Sequence, residues 1–276
     1  MDLRQYDSIL VNSSAGKDSQ AMLDYVCKLA SAQGVLDRVV VVHADLGRVE
    51  WKGTKELAEE QAQAYGVKFE LTKYQGMYGD NLLDYIRARK KWPDSKNRFC
   101  TSEFKRGPVG NVMTEIAKGF RAQFLSLARA VQKALGYKVP RILNCLGFRK
   151  DESPARAKRE PFAVNKRFST SRKHIDDWLP IHDWTVDEVW STIKASGVRY
   201  HYAYDLGMPR LSCCFCVFAP KDALVIAGLN NPELLDEYVE LEKEIGHDFR
   251  HKEPIAEIKA LIASGYQPKQ VQNWTM

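Results

Sequence analysis

Apolar residues recur along this chain in two rhythms, and their alternation predicts a fold before any single residue is considered. Residues 8–11 are a short apolar run fenced by polar neighbours, as in a buried strand. Residues 12–16 are small and turn the chain. Over residues 19–29 the spacing becomes helical, with Met22, Leu23, Val26 and Leu29 on one face. Residues 39–42 are all valine, a second buried strand that ends at His43, Ala44 and Asp45. A helix over residues 55–64 and a third strand over residues 67–71 follow. This order predicts an α/β fold: a parallel twisted sheet with helices on both faces, joined by right-handed crossovers.

Residues 82–91 read as a helix that Trp92, Pro93 and Asp94 break. Residues 109–135 hold one or two helices interrupted near Gly119, and residues 141–146 a fourth strand that runs into Gly147. The stretch 149–173 reads as a mobile basic loop. Thr185 opens a helix over residues 185–196, with Glu188 three positions on completing a capping box. From residue 219 the chain is mostly helical, with Pro232 at a helix start and Gly246 near an end. The expected organisation is a nucleotide-binding domain over residues 1–218 and a helical C-terminal extension over residues 219–276. There is no internal repeat and no low-complexity segment.

Composition narrows the classes. A chain of 276 residues with 45% hydrophobic residues can bury a substantial core, which excludes disorder. No apolar run approaches the roughly 20 residues that span a bilayer, so no membrane partner is expected. The first six residues are polar rather than signal-like, and three of the six cysteines crowd at Cys213, Cys214 and Cys216. That usage predicts metal or redox chemistry in a reducing compartment, and the expected location is the cytoplasm. The net charge of +6 is unevenly placed: residues 87–106 and 149–173 together carry +12, leaving the rest at −6. Such a field suits a polyanion: ATP, nucleic acid, or both.

The chemistry begins at Ser13-Ser14-Ala15-Gly16-Lys17-Asp18-Ser19, between a predicted strand and a predicted helix. Small residues let backbone N–H groups converge, and the helix N-terminus adds roughly half a positive charge. Lys17 brings a full charge, and Ser14 and Ser19 bring hydroxyls. The loop is not a Walker A motif, because Asp18 follows Lys17 where Ser or Thr is required and no glycine stands five residues before Gly16.

Ser14-x-Gly16-Lys17-Asp18-Ser19 resembles the Ser-x-Gly-x-Asp-Ser PP-loop of the adenine nucleotide α-hydrolases. Within them the chain resembles the phosphoadenylylsulfate (PAPS) reductase group over roughly residues 7–220. Further segments carry the likeness: Asp45-Leu46-Gly47 with Glu50-Trp51, Arg98-x-Cys100-Thr101 with Lys105 and Pro108, Gly147-Phe148-Arg149-x-x-Glu152-Ser153-x-x-Arg156, and Leu179-Pro180-Ile181 with Asp183-Trp184. The resemblance implies an ATP pyrophosphatase that splits ATP to AMP and pyrophosphate. It implies an ATP site of Ser13, Ser14, Ala15, Gly16, Lys17, Asp18, Ser19, Asp45, Gly147 and Phe148. Lys17, Asp18, Arg149 and Arg156 would be catalytic, the cations neutralising charge that develops about the α phosphorus. Magnesium would bridge the phosphates, with Asp18 and Asp45 as helpers. His43 and His182 read as structural, and Cys27 and Cys145 as core residues.

Members of the group that carry an iron–sulfur cluster have cysteines where Cys100 and Cys213, Cys214 and Cys216 stand, so the resemblance implies these four as ligands. This chain departs from their spacing: Phe99-Cys100 replaces an early Cys-Cys pair, and the late group is Cys-Cys-x-Cys. Soft sulfur also suits zinc, and reduced or sulfur-carrying thiols are the third reading. PAPS reductase itself uses a cysteine on a C-terminal tail, and no cysteine follows Cys216 in a sequence that closes Gln272-Asn273-Trp274-Thr275-Met276. The remaining relatives that join a PP-loop to cysteine clusters are the ATP pyrophosphatases of bacterial DNA phosphorothioation, of the Dnd and Ssp systems. On that likeness the expected partners are ATP, DNA held within a complex, a cysteine desulfurase as sulfur donor, and other phosphorothioation proteins. Lys158, Arg159, Lys166 and Arg167 are the expected DNA contacts. A PP-loop tRNA thiolase, a PAPS reductase-like enzyme of sulfur metabolism and a non-catalytic ATP-sensing subunit are the alternatives.

Overall fold

The structure is a computed structural model that describes residues 1–79 and 81–269. Its first half alternates as the apolar pattern requires: β1 Ser8–Ser13, α1 Lys17–Ala32, β2 Val39–Asp45, α2 Thr54–Ala64, β3 Lys68–Lys73. Then come α3 Leu82–Arg89 and a short α4 Phe99–Thr101. A π-helical turn over Ser102–Arg106 leads from α4 into the long α5 Gly107–Ser126, which α6 Arg129–Leu135 follows. The second half holds β4 Arg141–Cys145, α7 Pro154–Ala157, β5 Phe162–Val164, β6 His174–Trp178 and α8 Val186–Ser196. Helices α9 Lys221–Asn230, α10 Pro232–Ile245 and α11 Ile255–Ala263 close the described chain.

The sheet runs β3-β2-β1-β4-β6-β5, parallel except where β5 pairs antiparallel with β6. Alternation along each strand splits the core into two layers. Ile9, Val11, Val39, Val41, Leu143 and Cys145 pack with α1 on one face, joined by Val189 and Ile193 of α8. Leu10, Val42, Ile142 and Ile175 meet Val109 and Met113 of α5 on the other. Helices on both faces are therefore confirmed. A further cluster joins Leu46, Val49 and Trp51 to α3 and to α9, α10 and α11.

Two expectations need correcting. Helix α5 runs through Gly119 without a break, and the chain turns instead at Leu127 and Ala128. Only about 1 kcal/mol of helix propensity is at stake at one glycine, and the buried faces of Val109, Met113 and Ala117 offset it. The stretch 149–173 is not a featureless loop: it forms α7 and β5 and leads into β6. Strand β6 (His174-Ile175-Asp176-Asp177-Trp178) lacks an apolar run because its polar side chains are satisfied inside the fold. Asp176, fully buried, accepts hydrogen bonds from Tyr6 (3.0 Å) and Arg141 (3.0 Å). Asp177 accepts from Asn144 (2.6 Å) and Asn165 (3.0 Å).

Candidate active site

Strand order makes the site. From β1 the chain steps one way to β2 and β3, then returns to lay β4 on the other side of β1. Loops leaving β1 and β4 therefore diverge and open a crevice at the strands' C-terminal ends, where ligands bind in open α/β sheets. The β1 loop is Ser14 to Gly16, and the β4 loop carries Gly147, Phe148 and Arg149. They touch. A Cβ on Gly147 would lie 3.1 Å from the backbone carbonyl of Asp18 and 3.2 Å from the Ser19 nitrogen. Only glycine lets the β4 loop approach the first turn of α1 this closely.

The β1 loop is internally braced. The Ser19 hydroxyl donates to the Gly16 carbonyl (2.9 Å) and accepts from the Ser14 amide (3.2 Å), while Ser13 Oγ accepts from the Ala15 amide (3.2 Å). Ala15 takes a left-handed φ of 54°, the strained residue of the turn. Gly16 caps α1, and a side chain there would press on Leu211 and Tyr204 at 3.4 Å. The first-turn amides of a helix have no intrahelical partner. That of Lys17 donates to the Tyr204 hydroxyl (2.7 Å).

Behind the loop lies a chain of ion pairs. Asp18 holds Lys17 through one oxygen (3.1 Å) and Arg149 Nε through the other (2.6 Å), and Arg149 also pairs with Asp151. Burial favours the neutral form of Asp18, but Lys17 and Arg149 outweigh it and keep the carboxyl below its usual range. The buried Glu152 accepts from the Arg149 amide (2.9 Å) and pairs with Arg156 and with Arg210 (2.8 Å). Arg156 lies over the Phe148 ring at 4.5 Å. The expected Lys17, Asp18, Arg149, Arg156, Gly147 and Phe148 thus meet on one side of the PP-loop. Lys17 itself is nearly fully buried, donating also to the Pro209 carbonyl (3.2 Å).

Tyr204 and Arg210 belong to this site although the motifs did not single them out. The only sequence signal was position, in the segment leading to the late cysteines. Asp45 ends β2 and accepts from the Gly47 amide (2.7 Å) with one oxygen. Both Asp18 oxygens are occupied by cations; were magnesium to accompany a nucleotide here, Asp45 would be the one of the two expected carboxylates to assist it. His43 is buried between the Ser13 carbonyl (3.0 Å) and Glu50 (3.1 Å), and His182 meets the Arg156 carbonyl (3.1 Å).

The expected cysteine ligands can now be placed. No group of three or more His, Cys, Asp or Glu is arranged to hold a metal ion among the described residues. Cys214 is buried in the core with Phe215, its amide bonded to the Val49 carbonyl (2.9 Å). Cys100, Cys213 and Cys216 instead share the surroundings of Lys105. Burial works against the Lys105 charge, yet Cys213, Glu50, Cys100 and Cys216 together raise its pKa. Burial raises the Cys213 and Cys216 thiols, with Lys105 opposing it, and pushes Cys214 up to about 12.

The chain belongs to the phosphoadenosine phosphosulfate reductase domain family, whose model matches residues 8–219. It is 32% identical over 221 residues to an adenosine 5′-phosphosulfate reductase of Staphylococcus haemolyticus, covering 79% of this chain and 74% of that protein. It is 25% identical to an uncharacterised protein of Methanocaldococcus jannaschii over 87% of this chain and 49% of that protein. With an Escherichia phage 186 protein it shares 27% identity over 60% of this chain and 43% of the other. The chain thus spans half or less of the first curated relatives it matches. Among solved structures, the PAPS reductase of Candida auris in its phosphate complex aligns at 17% identity, covering 76% of this chain and 83% of that one, with a TM-score of 0.47. No helix among the described residues is long and apolar enough to cross a membrane.

Proposed function

We propose that this chain is an ATP pyrophosphatase that cleaves the α–β bond of ATP, releases pyrophosphate, and activates a DNA backbone phosphate for sulfur incorporation. The observation that carries the reading is Arg149. Its guanidinium is fixed by Asp18 and Asp151 beside the first turn of α1, at the crevice between β1 and β4. A cation preorganised in this way stabilises charge as it develops and needs no reorganisation at the moment of reaction. The acceptor oxygen attacks the α phosphorus, the bridging P–O bond breaks, and pyrophosphate leaves with its electron pair toward the loop amides and Lys17. The terminal sulfur of a persulfide donor such as a cysteine desulfurase then attacks the DNA phosphorus and displaces AMP, and a thiol reductant cleaves the resulting S–S bond, leaving the sulfur on phosphorus and a disulfide as the oxidised product.

The test is product identity. Incubation of ATP with magnesium and DNA yields AMP and pyrophosphate; ADP and phosphate as main products refute the reading. A second reading is favoured by the relative named as an adenosine 5′-phosphosulfate reductase. It predicts sulfite from a sulfonucleotide in a thioredoxin-coupled assay. Gln272 to Met276, which hold no cysteine, lie outside the described residues. Sulfite release would return that reading to first place.

A further inference from the structure

Three guanidiniums outside the ion-paired array come together from distant parts of the chain. Arg106 is the last residue before α5, Arg159 follows α7, and Arg167 lies in the turn between β5 and β6. All three are exposed, and no carboxylate lies within 4.0 Å of any of them among the described residues. They are held in place by packing. Arg159 lies over Phe148 at 5.1 Å, and Arg167 over Phe168 at 5.6 Å. Phe168 presses on Gly110 in the first turns of α5, where a Cβ would sit 2.4 Å from the ring. Lys173 ties the same turn to Thr114 of α5, and Asn165, anchored by Asp177, caps the Arg167 and Phe168 amides at 3.1 Å. Arg106 feels the charge of the other two. Partial burial, then Arg167 and Arg159, depress the Arg106 pKa, with Glu103 alone opposing.

We infer that Arg106, Arg159 and Arg167 form a seat for the phosphodiester backbone of duplex DNA. The assignment deepens the acceptor proposed above and rests on it. Like charges gathered without counter-ions are favourable only when a polyanion neutralises them, and release of its counter-ions supplies the driving force. A nucleotide at the PP-loop would not need them, because the array around Asp18 and Glu152 lies beside that loop. A duplex fits better than a single strand. Single strands are bound by stacking bases on free aromatic faces, whereas Arg156 and Arg159 cover Phe148, and Arg167 and Gly110 cover Phe168.

The test is fluorescence anisotropy of a labelled duplex of about two helical turns and arbitrary sequence, over a salt series, without ATP. Omitting ATP keeps this result separate from the AMP and pyrophosphate assay, so failure of one is not failure of the other. Wild type binds with a steep log–log salt slope. The combined Arg106→Glu, Arg159→Glu and Arg167→Glu variant lowers that slope by about 2.7, at ~0.9 for each phosphate contact of B-DNA. Arg121→Glu makes the same charge change as Arg106→Glu alone, about 22 Å further along α5, and leaves both slope and affinity within twofold or so of wild type. The inference fails if the triple variant binds like wild type, or if Arg121→Glu weakens binding as much as Arg106→Glu alone, which means a diffuse field. It also fails if wild type does not bind the duplex, or if a single strand or a transfer RNA transcript competes better than the duplex.

Discussion

Two sets of arginines stand side by side in this molecule and do opposite things with their charge. Arg149, Arg156 and Arg210 are each locked to a carboxylate, whereas Arg106, Arg159 and Arg167 have none. A buried guanidinium needs a counter-ion merely to stay in place, and the pairing fixes its direction. An exposed guanidinium is solvated, needs no partner to fold, and stays available to a ligand. On the proposed function, the inner set would serve one position in a reaction and the outer set an extended anion.

The largest expected effect tests the inner set as chemistry. Arg149→Ala lowers the rate of AMP formation by about 10²–10³-fold, the cost of removing one preorganised charge donor. A loss under tenfold would mean that Arg149 only braces the loops. Gly147→Ala comes next, because its Cβ cannot fit against the Asp18 carbonyl unless the two loops part. We expect a clear rise in the ATP dissociation constant by calorimetry, with the melting temperature moving far less.

Stability separates the two sets further. Glu152→Gln leaves Arg156 and Arg210 without their shared counter-ion and costs on the order of 3 kcal/mol in denaturant unfolding. Arg106→Gln stays within about 0.5 kcal/mol of wild type. Equal losses would erase the distinction.

The pH profile distinguishes the sets more finely. His201 is buried, hydrogen-bonded to the Ala203 amide and Thr54, and its pKa is lowered to about 4 by burial, then by Arg199. Its folded pKa lies below the unfolded value of about 6.5. Its contribution is therefore complete above that pH and is lost as pH falls toward 4. The Asp18 contribution is complete above about pH 4, where an unfolded aspartate titrates, and is lost only below it. Unfolding free energy should thus fall in two windows, and His201→Gln should flatten the upper one alone. The smallest effect belongs to the outer set: Arg106→Gln by itself removes about 0.9 from the DNA salt slope.

Much of this site was legible because the PP-loop and the Gly147-to-Arg156 segment carry their chemistry in contiguous residues. Small residues before a helix announce an anion site, and four valines announce a buried strand. Strand β6 was not legible, because Asp176 and Asp177 are polar inside the sheet and partners such as Tyr6, Arg141, Asn144 and Asn165 make that tolerable. Tyr204 and Arg210 were missed for a similar reason: their partners, Lys17 and Glu152, lie far away in sequence. The cysteine set was legible only as a departure from a known spacing, and its proximity to Lys105 came from the tertiary structure.

By itself, then, the sequence determined the βαβ alternation, the two faces of the sheet and the identity of the phosphate loop, since each depends on periodicity or on neighbouring residues. The tertiary structure alone decided which charges are paired and which are free, because a salt bridge depends on distance in space. The same arginine, equally basic in either place, becomes a fixed electrostatic tool beside Asp18 or an open contact beside Phe168.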